Sequence, residues 1–102
     1  MVEQINANQF EQVLANNKIV VVDYYAHWCG PCKMMHPIFE ELSNQMQNIK
    51  FVRIDIDQNT PLALKNNIQV VPTFVLYNNA TEVNRILGYN SKEDFKLFLQ
   101  TI

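Results

Sequence analysis

The sequence has little glycine, little cysteine and no long apolar run. Only two of its 102 residues are glycines and two are cysteines. The longest aliphatic run, from Ile19 to Val22, stops at Asp23, far short of the roughly 20 apolar residues that span a bilayer. Lys and Arg form no run, and the formal net charge is −2, so no basic face is available for a phosphate backbone. We therefore expect no membrane span and no nucleic acid partner.

The N-terminus lacks the features of a secretory signal. MVEQINANQF has an acidic residue and several amides where such a signal has positive charge followed by an apolar stretch. A chain of 102 residues that is 48% hydrophobic can bury one core but has no length for a second domain. We expect one domain over residues 1–102, cytoplasmic and by default a monomer.

Apolar segments rich in Val and Ile alternate with amphipathic segments, which is typical of strands joined by helices. KIVVVDYYA is continuously apolar, which predicts a strand in the centre of a sheet with helices on both faces. IKFVRIDID predicts another strand, and VVPTFVLYNNATEVNRILGY predicts a hairpin that turns at Asn78-Asn79. The sequence therefore predicts an α/β fold with the element order βαβαβαββα.

Four helices are predicted between and after these strands. Asn8 is the expected cap of the first, which ends near Asn16-Asn17. The second has apolar residues at helical spacing from Cys32 to about Met46, and Pro37 inside it predicts a kink. NTPLALKNN predicts a short third helix with its proline in the first turn, and Ser91 caps the last helix.

Both cysteines lie in the stretch HWCGPCK. A ring closed by residues three positions apart contributes only about 2 kcal/mol to stability, so stapling the chain is not their purpose. A strand is expected to end near Ala26 and a helix to begin at about Cys29, where unpaired N–H groups and the helix dipole lower the pKa of a thiol. We therefore assign Cys29 as the nucleophile of disulfide exchange and Cys32, one turn further in, as the resolving thiol. Gly30 leaves room for a partner's backbone and Pro31 fixes φ, so together they pre-form the turn.

The segments VDYYAHWCGPCK, VVPTF and LGY, in this order, resemble the thioredoxin family over essentially the whole chain. The resemblance implies the thioredoxin fold, a central mixed β-sheet flanked by helices. It also implies a general protein-disulfide reductase that works by reversible oxidation of the Cys29 and Cys32 dithiol, with no bound cofactor. Such a protein acts on many disulfide-containing proteins and is recharged by thioredoxin reductase with electrons from NADPH.

Asp23 follows four aliphatic residues in a strand expected to be buried, so its pKa should be raised, which suits proton transfer. The resemblance implies that Asp23 takes the proton of the resolving Cys32, directly or through water. A strand-end Asp that accepts a nearby N–H is the alternative. The family often has a Lys near this acid, but the matching position here is Arg53, which stays charged and does not shuttle protons.

Four residues are expected to shape the substrate surface: Trp28, Val71, Pro72 and Gly88. The resemblance implies a cis bond between Val71 and Pro72 and a backbone at Val71 that pairs with an extended substrate segment. From the sequence alone an ordinary trans proline at a strand edge remains possible. Trp28 offers apolar area beside the nucleophile and tunes the redox turn with Gly30 and Pro31, although core packing would also explain it. Gly88 permits close approach of a substrate chain, although a plain turn also explains it.

A zinc site is the first competing hypothesis. His27, Cys29, Cys32 and His36 supply two sulfurs and two nitrogens. His27 lies only two residues before Cys29, so closing all four around one ion would strain the turn, and we expect no metal. His36 is also a candidate for modulating the proton affinity of Cys32, one helical turn away.

Two other functions compete with disulfide reduction. A redox-independent binding module would use the same rim of Trp28, Val71 and Gly88 without chemistry. An oxidant or isomerase would use the same cysteines, but the absence of a signal argues against an oxidising compartment. A Cys29→Ser variant separates a binding module from a reductase.

Overall fold

The computed structural model covers residues 1–102 and contains five strands and four helices. Their order is βαβαβαββα, as the sequence predicts. None of the four helices combines the length and the hydropathy that a membrane span requires. The elements are β1 (Val2–Gln4), α1 (Ala7–Asn16), β2 (Ile19–Tyr25), α2 (Gly30–Gln45), β3 (Lys50–Asp55), α3 (Thr60–Lys65), β4 (Thr73–Asn78), β5 (Thr81–Leu87) and α4 (Lys92–Leu99).

The five strands form one mixed sheet in the order β1-β3-β2-β4-β5. The β1/β3 and β2/β3 pairs are parallel, and the β2/β4 and β4/β5 pairs are antiparallel. All residues of β2 are buried, because helices cover both faces of this central strand. The prediction of a central strand from its continuous apolar run is confirmed.

Side chains of β2 alternate between the two faces of the sheet. Val20, Val22 and Tyr24 pack on one face with residues of α1 and α3. Val21 packs on the other face with residues of α2 and α4, and Asp23, two residues later, lies on that same face. The α2 and α4 face is filled by a cluster of aromatic rings: Phe39, Phe51, Phe74, Phe95 and Phe98.

The positions of the predicted helix signals are confirmed for three of the four helices, and the kink expected at Pro37 stays a prediction. Pro37 lies inside α2, Thr60 and Pro61 open α3, and the side chain of Ser91 accepts a hydrogen bond from Asp94 N–H at the start of α4. Since proline has no N–H, Pro37 donates no hydrogen bond to the preceding turn of α2. The helix nevertheless continues to Gln45.

Two predicted boundaries are wrong by one or two residues. The cap of α1 is Asn6 rather than Asn8, because Asn6 accepts from Asn8 N–H while Gln9 Oε1 accepts from Asn6 N–H, which completes a capping box. The hairpin turns at Asn79 and Ala80 rather than at Asn78-Asn79. Both turn residues have positive φ (51° and 66°), as a two-residue turn of this kind requires, and β4 extends through Asn78.

Candidate active site

Cys29 and Cys32 form a disulfide at the N-terminus of α2, with Cα atoms 5.3 Å apart. Cys29 is the N-cap residue, and Cys32 lies in the first turn. Both are buried, with 4% and 2% of their surface exposed. The backbone N–H of Cys32 donates to Cys29 Sγ at 3.2 Å. A backbone N–H that has no partner within the helix therefore donates to the sulfur. This contact favours the thiolate of Cys29 after reduction.

Gly30 and Pro31 lie on the exposed side of this turn. A Cβ added at Gly30 would meet no atom of the protein within 4 Å, so packing within the chain does not explain the glycine. The glycine therefore leaves open space at the turn that holds the disulfide. Pro31 occupies the first turn of α2, where its missing N–H leaves no helix bond unmade.

The Val71-Pro72 peptide bond is cis, as predicted. The carbonyl oxygen of Val71 lies 3.5 Å from Cys29 Sγ. The carbonyl of Pro72 accepts a hydrogen bond of 2.8 Å from Gly88 N–H, and Gly88 has a φ of +78°, which favours glycine. These contacts join three of the predicted surface residues, of which Val71 lies against the nucleophile.

Trp28 is on the surface, with 69% of its area exposed, so the core-packing alternative is wrong. Its indole N–H donates to Asp57 Oδ2 at 2.8 Å. This hydrogen bond ties the ring to the loop after β3 and leaves apolar area exposed beside Cys29. The sequence did not indicate Asp57, because the contact depends on the tertiary fold.

Asp23 is wholly buried inside β2 rather than at its end. Neither carboxyl oxygen has a hydrogen-bond partner, so the alternative of a strand-end Asp bonded to an N–H is wrong. Burial raises the pKa of Asp23 from 3.8 to about 7, and the charge of Arg53 partly opposes the rise. The carboxyl can therefore gain and lose a proton near neutral pH.

Arg53 is held beside Asp23 by the ring of Tyr25. Arg53 and Asp23 are paired across the parallel β2 and β3 strands, and Arg53 Nε lies 3.6 Å from Asp23 Oδ2. The guanidinium carbon lies 3.7 Å from the centre of the Tyr25 ring, and the Tyr25 hydroxyl donates to Gln4 Oε1 at 2.9 Å. The cation–π contact keeps a permanent positive charge near the buried acid.

The four residues of the zinc hypothesis do not converge on one point. His27 Nε2 lies 3.2 Å from Asp55 Oδ2, and His36 Nε2 lies 4.0 Å from Glu40 Oε2, while the two cysteines bond to each other. No three His, Cys, Asp or Glu side chains come together in an arrangement that would hold a metal ion. Each histidine therefore has a carboxylate neighbour of its own.

Two cysteines that can switch between a dithiol and a disulfide exchange two electrons with the thiols or disulfide of another molecule, which is the chemistry of a dithiol-disulfide oxidoreductase. The family model described as Thioredoxin matches residues 1–101. Thioredoxin-1 of Saccharomyces cerevisiae is 42% identical over 84 residues, which cover 82% of each chain. Thioredoxin of Mycoplasmoides gallisepticum is 36% identical over 93% of this chain and 95% of its own.

Solved structures give the same result for the fold. Plasmodium falciparum thioredoxin superposes with a TM-score of 0.91 at 32% identity and covers 96% of both chains. A mutant thioredoxin of Entamoeba histolytica superposes with a TM-score of 0.90 at 36% identity and covers 100% of both chains. The chain belongs to the thioredoxin family and has the thioredoxin fold. It is a protein-disulfide oxidoreductase whose redox pair is Cys29 and Cys32.

Proposed function

We propose that this protein reduces the disulfides of many proteins, with Cys29 as the attacking thiol, Cys32 as the resolving thiol and Asp23 as the proton acceptor. The observation that carries the proposal is the position of Cys29 Sγ. It accepts the N–H of Cys32 at the start of α2 and lies 3.5 Å from the carbonyl of Val71. The nucleophile is thus activated by the helix and lies next to the proposed binding segment.

In the first step the thiolate of Cys29 attacks one sulfur of a substrate disulfide. A bond forms between Cys29 and that sulfur, the substrate S–S bond breaks, and the other substrate sulfur leaves as a thiolate that takes a proton from solvent. The N-terminus of α2 favours the attacking thiolate over the thiol. The product is a mixed disulfide between Cys29 and the substrate.

In the second step Cys32 resolves the mixed disulfide. Its thiol proton passes to the carboxylate of Asp23, directly or through water, and its sulfur attacks Cys29. The bond between Cys29 and the substrate breaks, the Cys29 and Cys32 disulfide forms, and the second substrate sulfur leaves as a thiolate that takes a proton from solvent. Two electrons have then moved from the protein dithiol to the substrate, which ends with two thiols. A carboxyl with a pKa of about 7 accepts such a proton more readily than an exposed Asp does.

Substrate binding is proposed for Trp28, Val71, Pro72 and Gly88. Val71 precedes β4, and its carbonyl is directed at Cys29, so an extended substrate segment can pair with the Val71 backbone and place its own sulfur near the nucleophile. Pairing with main chain accepts many sequences. The exposed ring of Trp28, which directly precedes Cys29 in the chain, adds apolar contact area.

The electron supply and the location are also proposals. We infer that the protein binds no cofactor, is recharged by thioredoxin reductase with electrons from NADPH, contributes to cytoplasmic electron transport and acts as a monomer. The support is its membership of the thioredoxin family and a disulfide that returns to the dithiol only when a reductant supplies two electrons.

Reduction of insulin disulfides with dithiothreitol as electron donor tests the proposed function. The wild-type protein is expected to catalyse the reaction and Cys29→Ser to lose catalysis, with no stoichiometric zinc in either preparation. Leu64→Ala, an exposed position on α3 that keeps both cysteines, is the control variant for the purification. Wild-type activity no higher than the dithiothreitol background would overturn the proposal. Bound zinc would then favour the histidine and cysteine site, and its absence would favour a binding module.

A further inference from the structure

Most of the buried polar atoms without a partner in this protein belong to three residues, two of which interact with the third, Arg53. Five buried side-chain oxygen and nitrogen atoms have no hydrogen-bond partner, and four of them belong to three residues: Asp23 Oδ1 and Oδ2, Arg53 Nε and His36 Nδ1. Leaving such atoms unpaired costs free energy, and one of the three residues lies a helical turn after Cys32, so the group calls for a functional explanation.

His36 connects this buried group with the surface. It lies on α2 one helical turn after Cys32. Its Nδ1 is buried without a partner, while Nε2 lies 4.0 Å from Glu40 Oε2 and 41% of the side chain is exposed. One nitrogen of the ring therefore belongs to the interior and the other is near an exposed carboxylate.

Burial and the positive charge of Arg53 keep the His36 ring neutral near pH 7. Burial lowers the pKa of His36, the positive charge of Arg53 on β3 lowers it further, and Glu40 on α2 acts in the opposite direction. A neutral imidazole accepts a proton at one nitrogen and donates one from the other. Arg53 remains charged and so carries no proton. Asp23, on β2, is wholly buried and has no contact of its own with solvent.

We propose that His36 is the relay through which the buried carboxyl of Asp23 exchanges its proton with solvent. The inference rests on the proposed role of Asp23 as the acceptor of the Cys32 proton. After that transfer, the proton of Asp23 passes through a bridging water to Nδ1 of His36. The N–H proton at Nε2 then leaves to solvent on the side of Glu40. Asp23 returns to the carboxylate, His36 returns to neutral as its other tautomer, and no electrons move.

His36 acts through Asp23 and touches neither cysteine sulfur in this role, so it is a relay rather than a catalytic residue. Below pH 7 most of the Asp23 carboxyls carry a proton, which must leave through His36 before Asp23 can accept the proton of Cys32. At such a pH the loss of His36 should slow the resolving attack of Cys32 and leave the first attack by Cys29 unchanged. A small base that diffuses into the site should restore the lost rate, whereas it would not repair a structural defect.

Stopped-flow reaction of the reduced protein with an aromatic disulfide that releases a coloured thiol measures both attacks. The first phase depends on reagent concentration and reports Cys29; the second does not and reports resolution by Cys32. At pH 6 we expect His36→Ala and His36→Gln to slow the second phase by about tenfold, which is less than the roughly 100- to 10,000-fold effect typical of general acid–base catalysis. Added imidazole should restore the second phase of His36→Ala in proportion to its concentration. His27→Ala, which removes the other histidine, should behave like wild type in both phases.

The outcomes separate the relay from the proposed function. A second phase that is unchanged in both His36 variants overturns the relay, and so does a slower phase that imidazole does not restore. A wild-type protein without a second phase, or a Cys32→Ser variant that retains it, would instead overturn the proposed roles of the cysteines.

Discussion

Arg53 Nε lies 3.6 Å from Asp23 Oδ2, and the ring of Tyr25 holds the guanidinium in place from the other side. At this distance the two groups form an ion pair without a hydrogen bond. The buried carboxyl therefore experiences two opposing influences. Burial raises its pKa and the permanent charge of Arg53 lowers it, and the balance lies at about 7.

Replacing Arg53 by Gln should raise the pKa of Asp23 further. The substitution removes the positive charge that lowers this pKa, while the carboxyl remains buried. A neighbouring cation of this kind typically lowers the pKa of a carboxyl by about one unit or more. An NMR titration of the Asp23 carboxyl carbon measures the change. Arg85→Gln is the matched control, since Arg85 pairs with Glu82 and does not contribute to the pKa of Asp23. A midpoint that is the same in Arg53→Gln and wild type would contradict the assignment.

Asp23→Asn should remove a pH dependence of stability. The pKa of Asp23 is raised in the folded state, so its contribution is fully present below the unfolded value of 3.8 and is lost as the pH rises through about 7. A difference of this size corresponds to a loss on the order of 4 kcal/mol in the free energy of unfolding between about pH 4 and pH 8. Urea unfolding of the oxidised wild type should show this loss, and Asp23→Asn should show much less of it. Parallel pH profiles for the two proteins would refute the prediction.

Tyr24 and Tyr77 form a hydrogen bond of 3.0 Å between their hydroxyls in the core on the α1 and α3 face. Tyr77→Phe should leave the Tyr24 hydroxyl buried without this partner and reduce the free energy of unfolding by about 1 to 3 kcal/mol. The double variant Tyr24→Phe/Tyr77→Phe should regain part of the loss, because no orphan hydroxyl remains. Disulfide reduction should be unchanged in both, since the redox pair belongs to another cluster. If the loss in the double variant equals the sum of the losses in Tyr24→Phe and Tyr77→Phe, the hydrogen bond does not couple the two residues.

Trp28→Ala should weaken reduction of protein substrates without destabilising the fold. Because 69% of the residue is exposed, little buried area is lost on truncation. Truncating an aromatic side chain in an interface costs about 1 kcal/mol or more of binding free energy. This cost corresponds to a kcat/KM that is at least about fivefold lower. Leu64→Ala, whose side chain is equally exposed on α3 (69%), is the control and should leave kcat/KM unchanged. Equal effects of the two substitutions would remove Trp28 from the binding surface.

The sequence predicts the sheet and the redox turn well because both depend on local pattern. The unbroken apolar run around Val21 marks a strand covered on both faces, and HWCGPCK marks a strand-to-helix turn. The cis bond before Pro72 came from resemblance, since the residues alone favour trans. The cap of α1 was misplaced because Asn6 and Asn8 both precede a residue that can close a capping box, and the choice depends on side-chain geometry.

The contacts that connect distant segments were outside what the sequence could predict. Trp28 meets Asp57 and His27 meets Asp55 only because the parallel pairing of β2 and β3 brings the ends of both strands to one edge of the sheet. The stacking of Arg53 on Tyr25 depends on the same register, because the two residues are diagonal neighbours across the strand pair. That register cannot be read from the local residue pattern of a single sequence.

The most direct measurement is to trap the mixed disulfide. Cys32→Ser and Cys29→Ser variants are incubated in reduced form with a disulfide-containing protein, and covalent adducts are measured by mass spectrometry before and after dithiothreitol. We expect Cys32→Ser to accumulate a dithiothreitol-sensitive adduct through Cys29, because the attacking thiol is present and the resolving thiol is not. Cys29→Ser should form little adduct. An adduct that forms mainly through Cys32 in Cys29→Ser would contradict the assignment of Cys29 as the nucleophile.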